Sequence, residues 1–279
     1  MNYFLKRKDP RYFQIIFLGS FLLFGLIILK WKITATTLLT ILLSVVITQV
    51  IAIKKFKLAY TSILSALISG LGLILLLRAN STFTFFVAGT LSIASKFIIR
   101  FRGKHIFNPV NFGIIVTILL SNDAWISPGQ WGSTAHYLLI IGIFSWLVLT
   151  KVKQLITGLV FLGTLFLLET IYLNLYLGWP MDFVMHKFTS GSLLLFSFFM
   201  ITDPRTTPNH FLIRGIWAAL VAGVSFYLME FQYLASAPFW VLFFISPLTP
   251  ILDAFYASSS FSWKTSERSE RSASNHILV

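Results

Sequence analysis

Two short polar stretches interrupt long apolar runs in this sequence, and their residue types could do chemistry. Asn108 stands before Pro109, and Asp203 stands before Pro204. Asparagine or aspartate before proline is typical of a helix start, because the side chain accepts from free backbone N–H groups and the proline needs no acceptor. The sequence therefore predicts that a helix begins at Asn108 and that Asp203 caps a turn.

The positive end of the helix predicted after Asn108 is a candidate ligand site. Free N–H donors and the helix dipole favour an anion there, and Lys104, His105 and Asn111 are close in sequence. These groups could receive a phosphate or an electron-rich ring system such as a flavin. The alternative is that Asn108 only caps a short helix.

The stretch around Asp203 crowds hydrogen-bonding groups into a bend beside two truncated helices, which favours a binding site. The hydrogen-bonding groups of this bend are Arg205, Thr206, Thr207, Asn209 and His210, and Thr202 and Asp203 stand before its first proline. The alternative is an ion pair between Asp203 and Arg205 or Arg102 at the membrane surface.

Glu169 lies inside a long apolar run, where an ionisable side chain is costly and usually faces a partner or a water path. We therefore expect Glu169 to belong to a proton or ion path, unless a tilted helix brings it near the outer surface. Glu230, at the end of another run, is interpreted as solvated.

Residue types exclude several other sites. The chain has no cysteine, and thus no disulfide, thiolate nucleophile or cysteine-based zinc or iron–sulfur site. His105, His136, His186 and His210 lie in different loops without the i, i+4 spacing of a helical metal pair, so we expect no metal site. No hydrolase triad order, P-loop or dinucleotide fingerprint is present.

The elements that carry these residues are those of a membrane protein. Hydrophobic residues make up 57% of the 279 residues and charged residues 11%, which leaves too little polar surface for a water-soluble globule. The apolar runs are longer than barrel strands and do not alternate strictly. The sequence predicts an all-α polytopic fold with about ten transmembrane helices, near residues 12–29, 33–53, 58–77, 81–99, 107–121, 135–150, 155–177, 188–202, 211–231 and 237–256.

The basic residues set the predicted orientation. With a cytoplasmic N-terminus, eighteen of the 22 lysines and arginines fall in inside segments, which supports ten spans with both termini cytoplasmic. The formal charge of +13 therefore indicates contact with the lipid bilayer and no nucleic-acid partner, because the charges punctuate apolar runs and do not cluster on one surface.

We expect one transmembrane domain over residues 1–262, with halves at about 1–134 and 135–262, and a polar cytoplasmic tail at 263–279. Five spans per half would invert the second half relative to the first. The strings "SGLGLILLLR" from Ser69 and "SGSLLLFSFF" from Ser190 echo each other, and proline interrupts the last span of each half. The sequence thus predicts two inverted repeats, with sites where broken helices meet.

Three segments resemble a known family. "GKHIFNPVNFG" (103–113) and "SGSLLLFSFFMITDPRTTP" (190–208) look like the paired signatures of the RnfD/NqrB family of membrane subunits, and "SPLTPILD" (246–253) resembles its closing segment. Order and spacing agree over essentially the whole chain. The short UnbU-type members are the most similar, because "WISPGQWGS" (125–133) replaces a longer external loop.

The resemblance implies an electron-transfer subunit of a sodium- or proton-motive NADH or ferredoxin oxidoreductase in the bacterial cytoplasmic (inner) membrane. It implies other complex subunits as partners, a fold similar to urea transporters, and a flavin (FMN or riboflavin) that supplies the redox chemistry. Asp253, in the closing segment, becomes the second candidate for the ion path. The candidate flavin-binding residues are Asn108, Pro109, Asn111, Ser190, Gly191, Ser192, Thr202, Asp203, Arg205, Thr206 and Thr207.

Covalent FMN is not supported. Family members of pumping complexes attach FMN to a threonine in an S-G-A-T-like motif between the fifth and sixth spans. Here the nearest string is "WGSTAH" (131–136), in which Thr134 precedes the alanine. The string "SGSL" (190–193) keeps the serine and glycine but lacks the threonine that comes later in the family's motif. We therefore expect a non-covalent flavin or none.

Two function classes remain open at this point. One is the electron-transfer subunit, and the other is a secondary transporter or channel-like protein for a small solute, which the inverted topology and the helix breaks also favour. A flavin spectrum of the purified protein would support the first class. Solute flux into vesicles that contain this chain alone would support the second.

Overall fold

The structure is a computed structural model that describes residues 10–127, 154–256 and 258. It is mostly helical. The helices are α1 (Pro10–Ile27), α2 (Ala35–Phe56), α3 (Ile63–Leu76), α4 (Thr82–Ile98), α5 (Pro109–Leu120), α6 (Leu155–Glu169), α7 (Met181–Phe188), α8 (Gly191–Leu195), α9 (Phe211–Phe231), α10 (Ala237–Ile245) and α11 (Leu248–Phe255). A 3₁₀ turn (Tyr60–Ser62) precedes α3, and wide π-helical segments extend α6 (Thr170–Tyr176) and α8 (Phe196–Met200).

Nine of the ten predicted apolar runs fall on these helices within a few residues. The sixth run (135–150) lies outside the described residues. Two runs are bent. The helix pair Ala237–Ile245 and Leu248–Phe255 bends by 50°, because Pro247 lacks an N–H group and cannot continue a helix. The run near 188–202 is preceded by α7, and the axis bends by 55° between Met181–Phe188 and Gly191–Met200.

Outward-facing apolar stripes identify the surface that contacts lipid. On α2, four side chains at a spacing of four residues are about half exposed or more: Leu39 58%, Leu43 56%, Ile47 47% and Ile51 60%. Residues four apart share one helix face, while Ile41 and Val45 on the opposite face are fully buried. A contiguous apolar face of this kind is stable in lipid and unfavourable in water.

Three described helices are long and apolar enough to cross a membrane, namely Ala35–Phe56, Leu155–Tyr176 and Phe211–Phe231. The count rises to five if each bent pair forms one span. The remaining apolar helices are shorter: Arg11–Ile27, Tyr60–Leu76, Thr82–Ile98 and Pro109–Leu120. The helical membrane class agrees with the sequence analysis, whereas ten crossings stay a prediction.

Small residues allow the helices to approach closely. Gly158 on α6 packs against the segment after α8, where an added Cβ would lie 2.8 Å from the Ser197 carbonyl oxygen and 3.3 Å from Thr202 Cγ2. Gly89 on α4 faces Ser44 on α2 in the same way. Close backbone approach is the usual basis of helix packing in membranes.

Two short antiparallel strand pairs, which the all-α prediction missed, join the helices. Leu77–Ala79 (β1) pairs with Ala124–Ile126 (β4), and Arg100–Phe101 (β2) pairs with Lys104–His105 (β3). In the second pair the two turn residues have positive φ, 46° at Arg102 and 84° at Gly103, as a tight hairpin requires. This hairpin fixes Lys104 and His105 beside the start of α5.

Candidate functional site

The start of α5 has the geometry predicted from Asn108 and Pro109. The Asn108 Oδ1 accepts hydrogen bonds from the backbone N–H groups of Val110 (3.1 Å) and Asn111 (3.2 Å), and Pro109 occupies the first turn. Asn108 is 5% exposed. Its amide Nδ2 donates to the carbonyl oxygen of Met200 at 3.3 Å, so this one side chain joins the start of α5 to the chain that leads into Asp203.

Asp203 caps the turn after α8, also as predicted. Its Oδ1 accepts from the Arg205 N–H at 3.0 Å, and its carbonyl oxygen accepts from the N–H groups of Thr206 (3.0 Å) and Thr207 (3.2 Å). The Arg205 contact is therefore a backbone cap. On the other side, His105 Nε2 lies 3.5 Å from Asp203 Oδ2.

The electrostatics of Asp203 favour its charged form. Burial opposes ionisation, but the His105 ring, the Arg205 N–H and the Arg205 charge outweigh it, and the pKa of Asp203 lies below its ordinary value. An ionised carboxylate thus stands at the junction of the two helix breaks.

A cavity of about 120 Å³ opens where these breaks meet, between α1, α3, the start of α5 and the chain after α8. Five of the predicted flavin-binding residues line it: Asn108, Pro109, Thr202, Asp203 and Arg205. Its other polar lining comes from Arg11, Gln14, Ser65, Ser69, Lys96 and His105. The structure therefore gathers residues from both predicted polar stretches around one space.

Lys96 is a cavity residue that the sequence analysis counted only as an inside charge. It lies on α4 and is 9% exposed, and its Nζ donates to the Ser65 carbonyl (3.1 Å), Ser65 Oγ (3.2 Å) and Ser69 Oγ (2.9 Å). A lone lysine within an apolar helix is the signal that could have revealed it. With Arg11 and Arg205 it gives the described lining three basic side chains against one carboxylate, so the cavity suits an anionic or polar group.

The cavity is too small for the ring system of a flavin. An engineered cavity of about 150 Å³ takes a single benzene ring, and sites for larger ligands occupy roughly 300–1,000 Å³. The isoalloxazine has three fused rings. The described residues therefore fit a phosphate, a carboxylate or one ring, and they do not enclose a flavin.

The other predicted flavin-binding residues lie away from the cavity lining. Ser190, Gly191 and Ser192 form the start of α8, where the hydroxyl oxygens of the two serines lie 2.9 Å apart. Asn111 Nδ2 donates to the Phe239 carbonyl at 3.0 Å, and thereby joins α5 to α10.

Thr206 and Thr207 hold the turn in place. The Thr206 carbonyl accepts from Thr249 Oγ1 at 3.1 Å, and Thr207 Oγ1 accepts from Gln154 Nε2 at 3.1 Å. Lys104 Nζ donates to the Thr207 carbonyl at 3.0 Å. Both threonines are 1% exposed, so they stabilise the turn from behind the cavity.

The two ion-path candidates lie at opposite ends of the fold. Asp253 pairs with Lys104 at 2.8 Å and accepts from the Asn209 N–H at 2.7 Å, just before α9 begins. Glu169 pairs with Lys187 at 2.8 Å, and Lys187 also contacts Glu230 near the end of α9. Helix α9 has 21 residues, which corresponds to roughly 30 Å. The structure thus does not join the candidates, and the ion path stays a prediction.

The interpretation of Glu230 as solvated was wrong. Its side chain is 12% exposed and contacts Lys187 in the last turn of α7. Thr134 and the string around it lie outside the described residues. Among residues 10–127 and 154–256 no group of three His, Asp or Glu side chains could hold a metal ion.

A comparison with protein families places these residues in a wider context. A family model described as "NQR2, RnfD, RnfE family" matches residues 111–262. The match covers more than half of the chain and includes the Asp203 turn and the α10–α11 bend. No curated protein matches the sequence.

Proposed function

Because this chain belongs to the NQR2, RnfD, RnfE family, we propose that it is a membrane electron-transfer subunit of an Rnf/Nqr-type redox complex. The family match is the observation that carries the proposal. The polar cavity between the two helix breaks adds support, since ligand sites in membrane proteins form where helices are interrupted.

The proposal includes the finer features that the sequence suggests. These are ten crossings in two inverted halves, both termini in the cytoplasm, the bacterial inner membrane, and similarity to the short UnbU-type members. Other subunits of the complex would supply the electron donor and acceptor. A non-covalent flavin stays a prediction, and it would have to bind outside the 120 Å³ cavity.

Deletion of the gene in the native host tests the proposal. We expect inverted membrane vesicles from the deletion strain to lose electron transfer from NADH or reduced ferredoxin, and the wild-type gene to restore it. The tagged chain should co-purify in mild detergent with proteins that carry redox centres. Unchanged electron transfer, together with purification of the chain alone, would contradict the proposal.

Paired variants test whether the cavity takes part. Lys96→Gln removes the buried amine from the cavity lining, whereas Lys55→Gln removes an exposed lysine from the end of α2. We expect Lys96→Gln to reduce complementation of the deletion and Lys55→Gln to complement fully, at equal amounts of protein in the membrane.

The cavity also favours a second function, a secondary transporter or channel-like protein for a small anionic solute. Its charges and its place at interrupted helices are typical of such sites. Liposomes that contain the purified chain alone separate the two functions. Uptake of a small anion that Lys96→Gln abolishes would support transport, and the absence of flux would favour the electron-transfer subunit.

A further inference from the structure

Three charged side chains meet at the end of α6 that lies far from the cavity. Glu169 is the last residue of α6, Lys187 lies in the last turn of α7, and Glu230 is the penultimate residue of α9. Lys187 Nζ is 2.8 Å from Glu169 Oε2 and also contacts Glu230 Oε1. We call these residues the outer acid cluster.

The charges of the outer acid cluster do not balance. Two carboxylates and one ammonium leave one excess negative charge if all three groups are ionised. Within the described residues, no other charged side chain on the elements packed against α6 forms an ion pair that would neutralise this excess charge. The other titratable groups there are Tyr172 and Tyr176 on the π-helical segment, Asp182 and His186 on α7, and Arg214 and Tyr227 on α9. Neither of these two α7 groups forms an ion pair with the cluster, and Arg214 is sixteen residues before Glu230 and so roughly 24 Å away along the helix.

Glu169 is the carboxyl group for which carrying the excess negative charge costs most. Its side chain is 1% exposed, and its Oε1 is buried without a hydrogen-bond partner in the described part of the chain. The hydroxyl of the next residue, Thr170, is also buried and unpartnered among these residues. A buried carboxylate oxygen with no donor is costly as an anion, and a proton removes that cost.

We propose that the outer acid cluster binds one exchangeable proton, carried by the Glu169 carboxyl group. A metal cation fits less well, because hard cations require several oxygen ligands and the Lys187 ammonium already lies between the two carboxylates. Lys187 is 23% exposed and connects the cluster to the protein surface. The π-helical segment that begins at Thr170 agrees with this role, since wide helical turns are frequent at functional sites.

This proton site is independent of the electron-transfer proposal, because it uses none of the cavity residues and lies at the other end of α9. The test therefore uses the isolated full-length chain, without donor or acceptor. The chain has only nine acidic residues in total, and four of them are glutamates: Glu169, Glu230, Glu267 and Glu270. Labelling with glutamate that carries ¹³C at its carboxyl group separates their infrared bands from those of aspartate.

We expect the wild-type chain at neutral pH to show a protonated carboxyl band that shifts on ¹³C-glutamate labelling and disappears as the pH is raised. Glu169→Gln, which resembles the protonated form in shape and charge, should lose the band and keep the wild-type unfolding temperature. Glu230→Gln should lose the band at lower pH than the wild type, because it removes the second negative charge and leaves Lys187 to neutralise Glu169 alone.

Three results would overturn the proposal. The first is a labelled wild-type chain with no protonated glutamate band at neutral pH, a result that needs no variant to fold. The second is a band that persists in Glu169→Gln. The third is loss of the band at fixed pH on addition of NaCl but not of choline chloride, which would identify a sodium site in place of a proton site.

Discussion

At the scale of single residues, Asn108 joins two chain breaks that are distant in sequence. Its Oδ1 caps α5, and its Nδ2 reaches the Met200 carbonyl, 92 positions away. The side chain therefore combines a local capping role, which the Asn-Pro pair predicts, with a long-range hydrogen bond that the local sequence does not predict.

Asn108→Ala should destabilise the protein by at least about 1 kcal/mol, the usual cost of removing a helix cap. Asn108→Ser is the matched control, because serine keeps a capping oxygen and loses only the amide donor to Met200. We expect the thermal midpoints in detergent to fall in the order wild type, serine, alanine. Equal midpoints for the two variants would show that the cap contributes nothing.

The contacts that sequence reasoning missed join residues far apart in the chain. Lys96 donates to oxygens 27 and 31 positions away, and Lys104 reaches Asp253 across 149 positions. The capping roles of Asn108 and Asp203 were predictable because donor and acceptor are neighbours in sequence. Positions of cavity residues depend on how helices pack, which a single sequence does not specify.

At the scale of elements, Gly158 sets the distance between α6 and the chain that leads into Asp203. Gly158→Ala places a Cβ 2.8 Å from the Ser197 carbonyl oxygen. Because this oxygen belongs to the backbone, it can move away only if the whole segment around Ser197 moves. We expect a loss of about 1–3 kcal/mol in stability, as is typical of overpacking.

Gly163→Ala is the control on the same helix. An added Cβ there meets no atom of the described residues within 4 Å, and alanine favours helix by up to about 1 kcal/mol over glycine. Thermal unfolding should therefore show Gly158→Ala below the wild type and Gly163→Ala at or above it. A similar loss in both variants would mean that close packing at Gly158 is not the cause.

Asp123 holds the start of α4 against the β1–β4 pair. Its carboxylate accepts from Thr84 Oγ1 at 2.6 Å and from the N–H groups of Asn80 (3.0 Å) and Ser81 (3.1 Å). The Thr84 hydrogen bond is the main cause that lowers the pKa of Asp123 below its ordinary value. A carboxylate with a lowered pKa stabilises the fold above its unfolded pKa, near 3.9, and this contribution is lost as the pH falls through the folded value.

The wild type should therefore be more stable than Asp123→Asn at neutral pH, and the gap should close as the solution is acidified below about pH 4. When Thr84→Val is added to the wild type and to Asp123→Asn, the difference in stability between the two proteins at neutral pH should become smaller. The hydrogen bond from Thr84 is then absent from both proteins. Thermal midpoints measured against pH provide the check, and a gap that stays constant on acidification would refute this account of Asp123.

Helix positions were largely predictable because a long apolar run is a local property. The bends were predictable only where proline marks them, as at Pro247. The change of direction before Gly191 and the π-helical segments have no comparable marker in the sequence. The hairpin at Arg102 and Gly103 carried a weak signal, because one glycine between two short polar stretches is compatible with a turn of several kinds.

At the scale of the whole molecule, the number of crossings decides on which side of the membrane each loop lies. Between Arg102 and Tyr233 the prediction places five crossings, and one of them is the run at 135–150, which lies outside the described residues. An odd number puts Arg102 and Tyr233 on opposite sides of the membrane, whereas an even number puts them on the same side.

Because the chain has no cysteine, single cysteines can report these sides without background. We expect Arg102→Cys and Lys55→Cys to react with a membrane-impermeant maleimide only in inside-out vesicles, and Lys32→Cys and Tyr233→Cys only in right-side-out vesicles. The basic residues around Arg102 and Lys55 require this orientation. Reaction of Tyr233→Cys on the same side as Arg102→Cys would make the number of crossings between them even, and the inverted repeat of five plus five spans would then lose its basis, since two halves with different numbers of spans cannot be related by inversion.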